Sequence, residues 1–117
     1  MSEIEKRKKS FEYAFKGMKS FLRKEHNAWI HCFILAVVTI AGFICSITPT
    51  EWCIIVFCFM AVLAAEAFNT ALERVVDLVS PEYNPLAGEA KDIAAAAVLI
   101  CAVATVIIGL IIFIPYC

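Results

Sequence analysis

Two long stretches without a charged side chain limit what this chain can fold into. No Asp, Glu, Lys or Arg occurs in residues 27–50 or in residues 93–117. About 20 consecutive apolar residues are enough to cross a lipid bilayer as a helix. Of the 117 residues, 62% are hydrophobic, whereas soluble domains have roughly 45–50% apolar residues. The sequence therefore predicts a membrane protein.

A third membrane span is predicted between these stretches, although its charge-free part is short. Residues 52–65 would not cross the bilayer alone, so the helix must continue through the polar sequence "EAFNTALERVVD" at 66–77. We expect an all-α membrane protein with a single domain over residues 1–117. Its elements are predicted to be an N-terminal amphipathic surface helix at 1–24 and transmembrane helices at 28–48, 51–79 and 89–114.

The basic residues predict the orientation in the membrane. Eight of the ten Lys and Arg residues precede Glu25, and cytoplasmic segments of membrane proteins carry such an excess. We expect a multi-pass membrane protein with a cytoplasmic N-terminus, an external C-terminus and no cleaved signal peptide. In the first helix, Phe11, Phe15, Met18 and Leu22 share one face, which favours attachment to the membrane surface over packing on a soluble partner.

Acidic side chains on the second predicted span form the candidate site. At 100° per residue, Glu66, Glu73 and Asp77 fall within about 40° of one another, and Asn69 lies about 60° from Glu66. An early helix end would explain Asp77 and a packing contact would explain Asn69, but neither accounts for three acids on one face. Ionisable groups inside a membrane are costly and commonly functional. This polar stripe, which runs from Glu66 to Asp77, predicts a functional site.

The predicted topology brings further charged residues to the cytoplasmic end of the stripe. Glu25 precedes the first span, and Lys91 and Asp92 begin the third. Glu25 and Glu73 could bind Mg²⁺, which prefers one or two carboxylates together with phosphate oxygens. Lys91 could neutralise the phosphates of ATP, and Glu66 could accept a proton from a lipid hydroxyl. These residues predict phosphoryl transfer at the membrane surface.

The absence of familiar nucleotide-binding motifs restricts the kind of kinase. The chain contains neither GxxxxGK[ST] nor GxGxxG, which excludes the P-loop and protein-kinase folds. Non-enzymatic alternatives are a small pore-forming or assembly protein and a proton-coupled carrier that uses Glu66. A pore would spread polar residues along whole spans, and carriers usually contain inverted repeats, whereas this chain shows neither.

Three segments resemble one known family. The sequences "YAFKGMKS" at 13–20, "EAFNTALERVVD" at 66–77 and "EYNPLAGEAKDIAAAAVLI" at 82–100, together with Glu25, resemble the small prokaryotic integral-membrane diacylglycerol kinases, which include the undecaprenol kinases. The resemblance implies a homotrimeric helix bundle whose active sites are shared between subunits. It also implies a location in the bacterial inner (cytoplasmic) membrane, ATP as co-substrate, Mg²⁺ as cofactor, a membrane lipid as substrate and no nucleic-acid partner.

The same resemblance assigns roles to individual residues. Glu66 corresponds to the catalytic general base, and Glu25 and Glu73 correspond to metal-binding carboxylates that also contact ATP. Asn69 and Asp77 correspond to supporting positions. Further ATP-binding positions are Lys6, Tyr13, Glu82, Tyr83, Asn84, Lys91 and Asp92.

Three positions depart from the pattern of many relatives and leave the lipid open. Trp29 stands where many relatives carry arginine, and Ala95 stands where some relatives carry serine. At position 31, the histidine is similar to the undecaprenol kinases rather than to the diacylglycerol kinases. Diacylglycerol, phosphorylated to phosphatidic acid, is the first expected substrate, and undecaprenol, giving undecaprenyl phosphate, is the alternative.

Overall fold

The computed structural model of the chain describes residues 2–24 and 27–117, and within these ranges it is helical with no strand. The helices are α1 (Glu3–Lys24), α2 (Asn27–Cys45), α3 (Pro49–Val79) and α4 (Pro85–Phe113), followed by a 3₁₀ turn at Ile114–Tyr116. The predicted all-α class is confirmed.

Two helices in the described part of the chain are long and apolar enough to cross a membrane. They are Pro49–Val79 and Pro85–Tyr116, which contain 18-residue windows with mean hydropathies of 2.0 and 3.2. The 19-residue helix α2 gives a third span only when it is counted together with α1. The 31 residues of α3 extend about 46 Å, against a hydrocarbon core of about 30 Å. Part of α3 must therefore project beyond the hydrocarbon.

Side-chain caps make α3 and α4 begin earlier than predicted. Thr48 forms a capping box with Glu51: the Glu51 N–H donates to Thr48 Oγ1 at 3.2 Å, and the Thr48 N–H donates to Glu51 Oε1 at 2.9 Å. The helix therefore starts at Pro49, two residues before the predicted boundary at 51. Asn84 caps α4 through its side-chain oxygen alone, which accepts the N–H groups of Leu86 and Ala87, so this helix starts at Pro85 rather than at 89. Both prolines occupy the first helical turn, where a missing N–H costs nothing.

Helix α2 ends at Cys45 in a Schellman motif, three residues before the predicted boundary at 48. The Ile47 N–H donates to the Gly42 carbonyl at 3.1 Å, and the Ser46 N–H donates to the Phe43 carbonyl at 3.3 Å. Ser46 has φ = 53°, the left-handed conformation that this motif requires. This conformation crowds the Cβ of every residue except glycine.

Replacing Ser46 with glycine is expected to stabilise the fold by about 0.5–1 kcal/mol, because it removes this crowding. Thermal unfolding in detergent micelles should show a higher midpoint. Ser10→Gly, at an exposed position in the middle of α1, is the control. It should lower the unfolding midpoint, since glycine weakens a helix interior. A lower midpoint for Ser46→Gly would contradict the assignment of strain.

The chain divides into two compact units, Met1–Ala36 and Val37–Cys117. In the larger unit, the buried core is formed mainly where α3 begins and α4 ends, and its members are Ile47, Ile55, Phe59 and Ile112. Trp52 packs against Gly42, where an added Cβ would lie 2.5 Å from the indole ring. Glycine therefore permits this close approach.

In the smaller unit, α1 has no buried residue. The side chains of its apolar face are 43–68% exposed; they are Phe11, Phe15, Met18 and Leu22. This face is available to cover a lipid surface, as the periodicity predicts, and surface attachment stays a prediction.

Candidate active site

The polar stripe on α3 passes from the packed interior to an exposed surface. Glu66 is only 8% exposed, Asn69 and Glu73 are half-buried, and Asp77 is exposed. Since α3 packs mainly against α4, the deepest carboxylate lies among packed helices, whereas the last one meets solvent at the end of the helix. The structure adds this gradient of burial to the predicted stripe, and the exit of the stripe from the membrane stays a prediction.

Thr70 is a buried member of the stripe that the sequence analysis did not assign to the site. It is 7% exposed and lies four residues after Glu66, about 40° away around the helix. The same helical spacing that identifies the acids would have identified it, but a threonine is common in packed helices and carries no charge. Its burial places it beside Glu66 on the packed face of α3.

Asn69 is placed to orient the Glu73 carboxylate. The Asn69 Nδ2 group donates to Glu73 Oε1 at 3.2 Å, and because a carboxylate only accepts hydrogen bonds, this contact fixes the orientation of the amide. The other amide atom, Asn69 Oδ1, is buried and accepts no hydrogen bond from any described residue. Buried polar atoms are usually hydrogen-bonded, so this oxygen can accept a hydrogen bond from water or a ligand.

An ion pair joins the end of α3 to the beginning of α4. Lys91 Nζ lies 2.5 Å from Asp77 Oδ1, and the two side chains are 38% and 64% exposed. An exposed ion pair contributes about 0–1 kcal/mol to stability. Its main consequence is therefore positional: it fixes the Lys91 ammonium group beside the α3–α4 connection.

An open cavity of about 260 Å³ lies at the α3–α4 connection, residues 80–84. We refer to it as the connection cavity. Its wall is formed by Val76, Asp77, Ser80, Pro81, Glu82, Tyr83, Asn84, Ala87, Gly88 and Lys91. Four predicted ATP-binding residues (Glu82, Tyr83, Asn84 and Lys91) and the predicted supporting residue Asp77 are thus brought together.

Hydrogen bonds within the connection hold its shape. Asn84 Oδ1 accepts the backbone N–H groups of Leu86, at 2.9 Å, and Ala87, at 3.4 Å. The Ser80 hydroxyl donates to the Glu82 carbonyl at 2.9 Å. The side-chain oxygen of Asn84 is thereby committed to the helix cap, and only its amide N–H₂ group is left for a ligand.

The other predicted ATP-binding residues that the structure describes are not part of this cavity wall. Asp92 is exposed on α4 and does not line the cavity. Tyr13 and Lys6 are exposed in the smaller unit, where Lys6 Nζ lies 4.0 Å from Glu3 Oε1. Glu25 lies outside the described residues.

The described residues alone do not form a complete metal site. No three His, Cys, Asp or Glu side chains among them are close enough to hold a metal ion. The predicted metal pair consists of Glu73, which is described, and Glu25, which is not, so this pairing stays a prediction.

Comparison with known proteins identifies the class of protein. Residues 12–113 match the family described as "Prokaryotic diacylglycerol kinase". The chain belongs to this family and is a membrane lipid kinase, a class that implies the use of ATP. The predicted family and enzyme class are confirmed, and the non-enzymatic alternatives are excluded.

Its relatives include kinases named for two different lipids. The chain is 40% identical to the undecaprenol kinase of Bacillus subtilis (strain 168) over 114 residues, which cover 97% of this chain and 93% of the relative. It is 39% identical to the diacylglycerol kinase of Synechocystis sp., over 86% of this chain and 58% of the relative. It is 32% identical to the diacylglycerol kinase of Escherichia coli (strain K12), over 85% of this chain and 81% of the relative.

Proposed function

We propose that this kinase transfers the γ-phosphoryl group of ATP to the hydroxyl group of a membrane lipid at the cytoplasmic face of the inner membrane. The observation that carries the proposal is the arrangement of one polar stripe along α3. We assign Glu66, at its buried end, to a hydroxyl that approaches from the lipid phase. We assign Lys91, paired with Asp77 at its exposed end, to phosphates that enter from water.

The reaction requires one proton transfer and one exchange of bonds at phosphorus. The lipid oxygen attacks the γ-phosphorus, a new P–O bond forms, and the bond between the γ-phosphorus and the bridging oxygen of ADP breaks. Glu66 accepts the hydroxyl proton, and ADP leaves with the electron pair of the broken bond. The positively charged Lys91 offsets negative charge on the phosphates, so that positioning and electrostatics supply most of the catalysis.

The residues of the stripe fit a magnesium ion. Mg²⁺ binds one or two carboxylates and keeps water and phosphate oxygens as its other ligands. In Glu73, Oε1 is held by Asn69 while the second carboxylate oxygen can serve as a ligand, and Glu25 is the proposed second carboxylate. When bound, the ion would reduce the charge of the phosphates.

Several features support the proposed assembly and orientation. The basic N-terminal segment favours a cytoplasmic N-terminus, and the C-terminus is then external. The spanning helices α3 and α4 expose many large apolar side chains, including Phe57 at 75% and Phe68 at 79%. Lipid and neighbouring subunits would cover these side chains in the proposed homotrimer. Lys6 and Tyr13 are proposed to complete an ATP site that is shared between subunits.

Undecaprenol is the lipid that we favour, with diacylglycerol as the second candidate. The undecaprenol kinase of B. subtilis matches nearly the whole chain at 40% identity. Diacylglycerol is supported by the family description and by relatives with 32–39% identity. Both lipids present a single hydroxyl beside long apolar chains, so the chemistry assigned to Glu66 is the same for both.

A direct assay of the two lipids tests this proposal. The purified protein in detergent micelles is supplied with γ-labelled ATP, Mg²⁺ and either undecaprenol or diacylglycerol. We expect label in the lipid fraction, with kcat/KM for undecaprenol at least about tenfold higher, a ratio that hydrophobic pockets commonly achieve. A reversed ratio would establish diacylglycerol as the substrate, and the absence of label from both lipids would overturn the proposed function.

A further inference from the structure

We propose that Asp77 is a positioning residue for nucleotide binding, which holds the Lys91 ammonium group in place to receive the phosphates of ATP. This inference rests on the proposed function and concerns the connection cavity. It follows from three properties of that cavity: a capped helix end, a single basic side chain among the described wall residues and a direct ion pair.

The backbone at the start of α4 offers little to a phosphate. Free N–H groups at a helix N-terminus commonly bind anions, but here the N–H groups of Leu86 and Ala87 already donate to Asn84. The Gly88 N–H donates to the Asn84 carbonyl at 3.0 Å, and Pro85 has no N–H. An anion at this end must therefore be bound by side chains.

Lys91 is the one basic side chain among the described residues of the cavity wall. The wall also contains the carboxylates Asp77 and Glu82, which repel phosphates. The binding of a polyphosphate therefore depends strongly on the position of the lysine charge. A lysine has four rotatable bonds and loses much conformational freedom when it binds a ligand. The contact with Asp77 removes part of this freedom before the nucleotide arrives.

The ion pair leaves Lys91 able to bind a phosphate. An ammonium group has three N–H donors, and the contact with Asp77 Oδ1 uses one of them. The lysine side chain is 38% exposed, so its other donors can meet a ligand from the solvent side.

Asp77 also carries a negative charge, which would repel phosphates. Positioning of Lys91 by Asp77 should strengthen nucleotide binding, whereas this repulsion should weaken it. Its side chain is 64% exposed, so solvent and salt weaken the repulsion. The contact with Lys91 is direct, at 2.5 Å. We therefore expect positioning to outweigh repulsion.

A double-mutant cycle on nucleotide binding tests this inference without any turnover. The dissociation constant of a non-hydrolysable ATP analogue with Mg²⁺ is measured by equilibrium dialysis on the full chain in detergent. Asp77→Ala should weaken binding about fivefold, the effect of one lost polar contact. In the Lys91→Met background the same change should have almost no effect. Asp77→Glu should bind within about twofold of the wild type, since the longer carboxylate can still reach the lysine.

A matched control and two outcomes make the test decisive. Glu89→Ala removes an exposed carboxylate from the same helix end, outside the cavity wall, and should leave binding unchanged. Tighter binding of the ATP analogue by Asp77→Ala would show that repulsion dominates. If Asp77→Ala weakened binding equally with and without Lys91, the effect would be a general structural one. Either result would overturn the inference. If the effect of Asp77→Ala depends on Lys91 but the protein labels no lipid, only the proposed function is overturned. If the protein labels a lipid but the effect of Asp77→Ala does not depend on Lys91, only the role of Asp77 is overturned.

Discussion

Replacing Glu66 with glutamine is expected to lower the turnover number by about 10²- to 10⁴-fold, the usual contribution of a general base. Glutamine has nearly the same volume and polarity as glutamate but cannot accept the proton of the lipid hydroxyl. The apparent affinity for ATP should stay near that of the wild type, because Glu66 lies at the buried end of the stripe. Initial rates in micelles, measured over a range of ATP and lipid concentrations, separate the two quantities.

The control for this experiment is the same chemical change at a carboxylate without an assigned role. Glu89→Gln alters an exposed side chain on α4 and should retain wild-type turnover. The thermal unfolding midpoint of Glu66→Gln should not fall, since a neutral amide is easier to bury than a carboxylate. A Glu66→Gln enzyme that turns over within twofold of the wild type would remove this residue from the role of base.

Replacing Glu73 with glutamine is expected to raise the Mg²⁺ concentration needed for half-maximal activity by at least about tenfold. Groups that merely orient a metal ligand already change metal affinity by about 10–100-fold, and Glu73 is proposed as a direct ligand. The neutral side chain can still hydrogen-bond to Asn69, so the change isolates the lost charge. Rates measured against Mg²⁺ at fixed ATP test this expectation.

A second variant distinguishes direct from indirect effects at this position. Asn69→Leu removes the hydrogen bond to Glu73 Oε1 and should raise the required Mg²⁺ concentration less than Glu73→Gln does. Glu89→Gln again serves as the matched control. An unchanged Mg²⁺ dependence in Glu73→Gln would contradict the proposed metal ligand.

The helices and the stripe could be predicted because both depend on local periodicity. Charge-free runs indicate membrane helices, and a spacing of three to four residues places Glu66, Asn69 and Glu73 on one side of α3. The structure retains these features and adds the gradient of burial along the stripe. Helix ends were less predictable, because capping by Thr48 and Asn84 moves the starts of α3 and α4 by two and four residues.

Contacts between distant residues could not be predicted from local sequence. The C-terminal Tyr116 hydroxyl donates to Glu51 Oε1, and Asp77 pairs with Lys91, so polar contacts tie α3 to the C-terminal part of the chain at both of its ends. The predicted topology brought Lys91 near the stripe, but the choice of Asp77 as its partner depends on the course of the connection. Tertiary packing, rather than any local pattern, decides such pairs.

The proposed mechanism requires the N-terminal segment and the α3–α4 connection to lie on the same side of the membrane. Single cysteines at position 6, at position 82 and at the native Cys117, in a background without the other cysteines, can be labelled by a membrane-impermeant maleimide. We predict that positions 6 and 82 react only in inside-out membrane vesicles and that Cys117 reacts only in right-side-out vesicles. Labelling of positions 6 and 82 from opposite faces would contradict the shared site and, with it, the proposed mechanism.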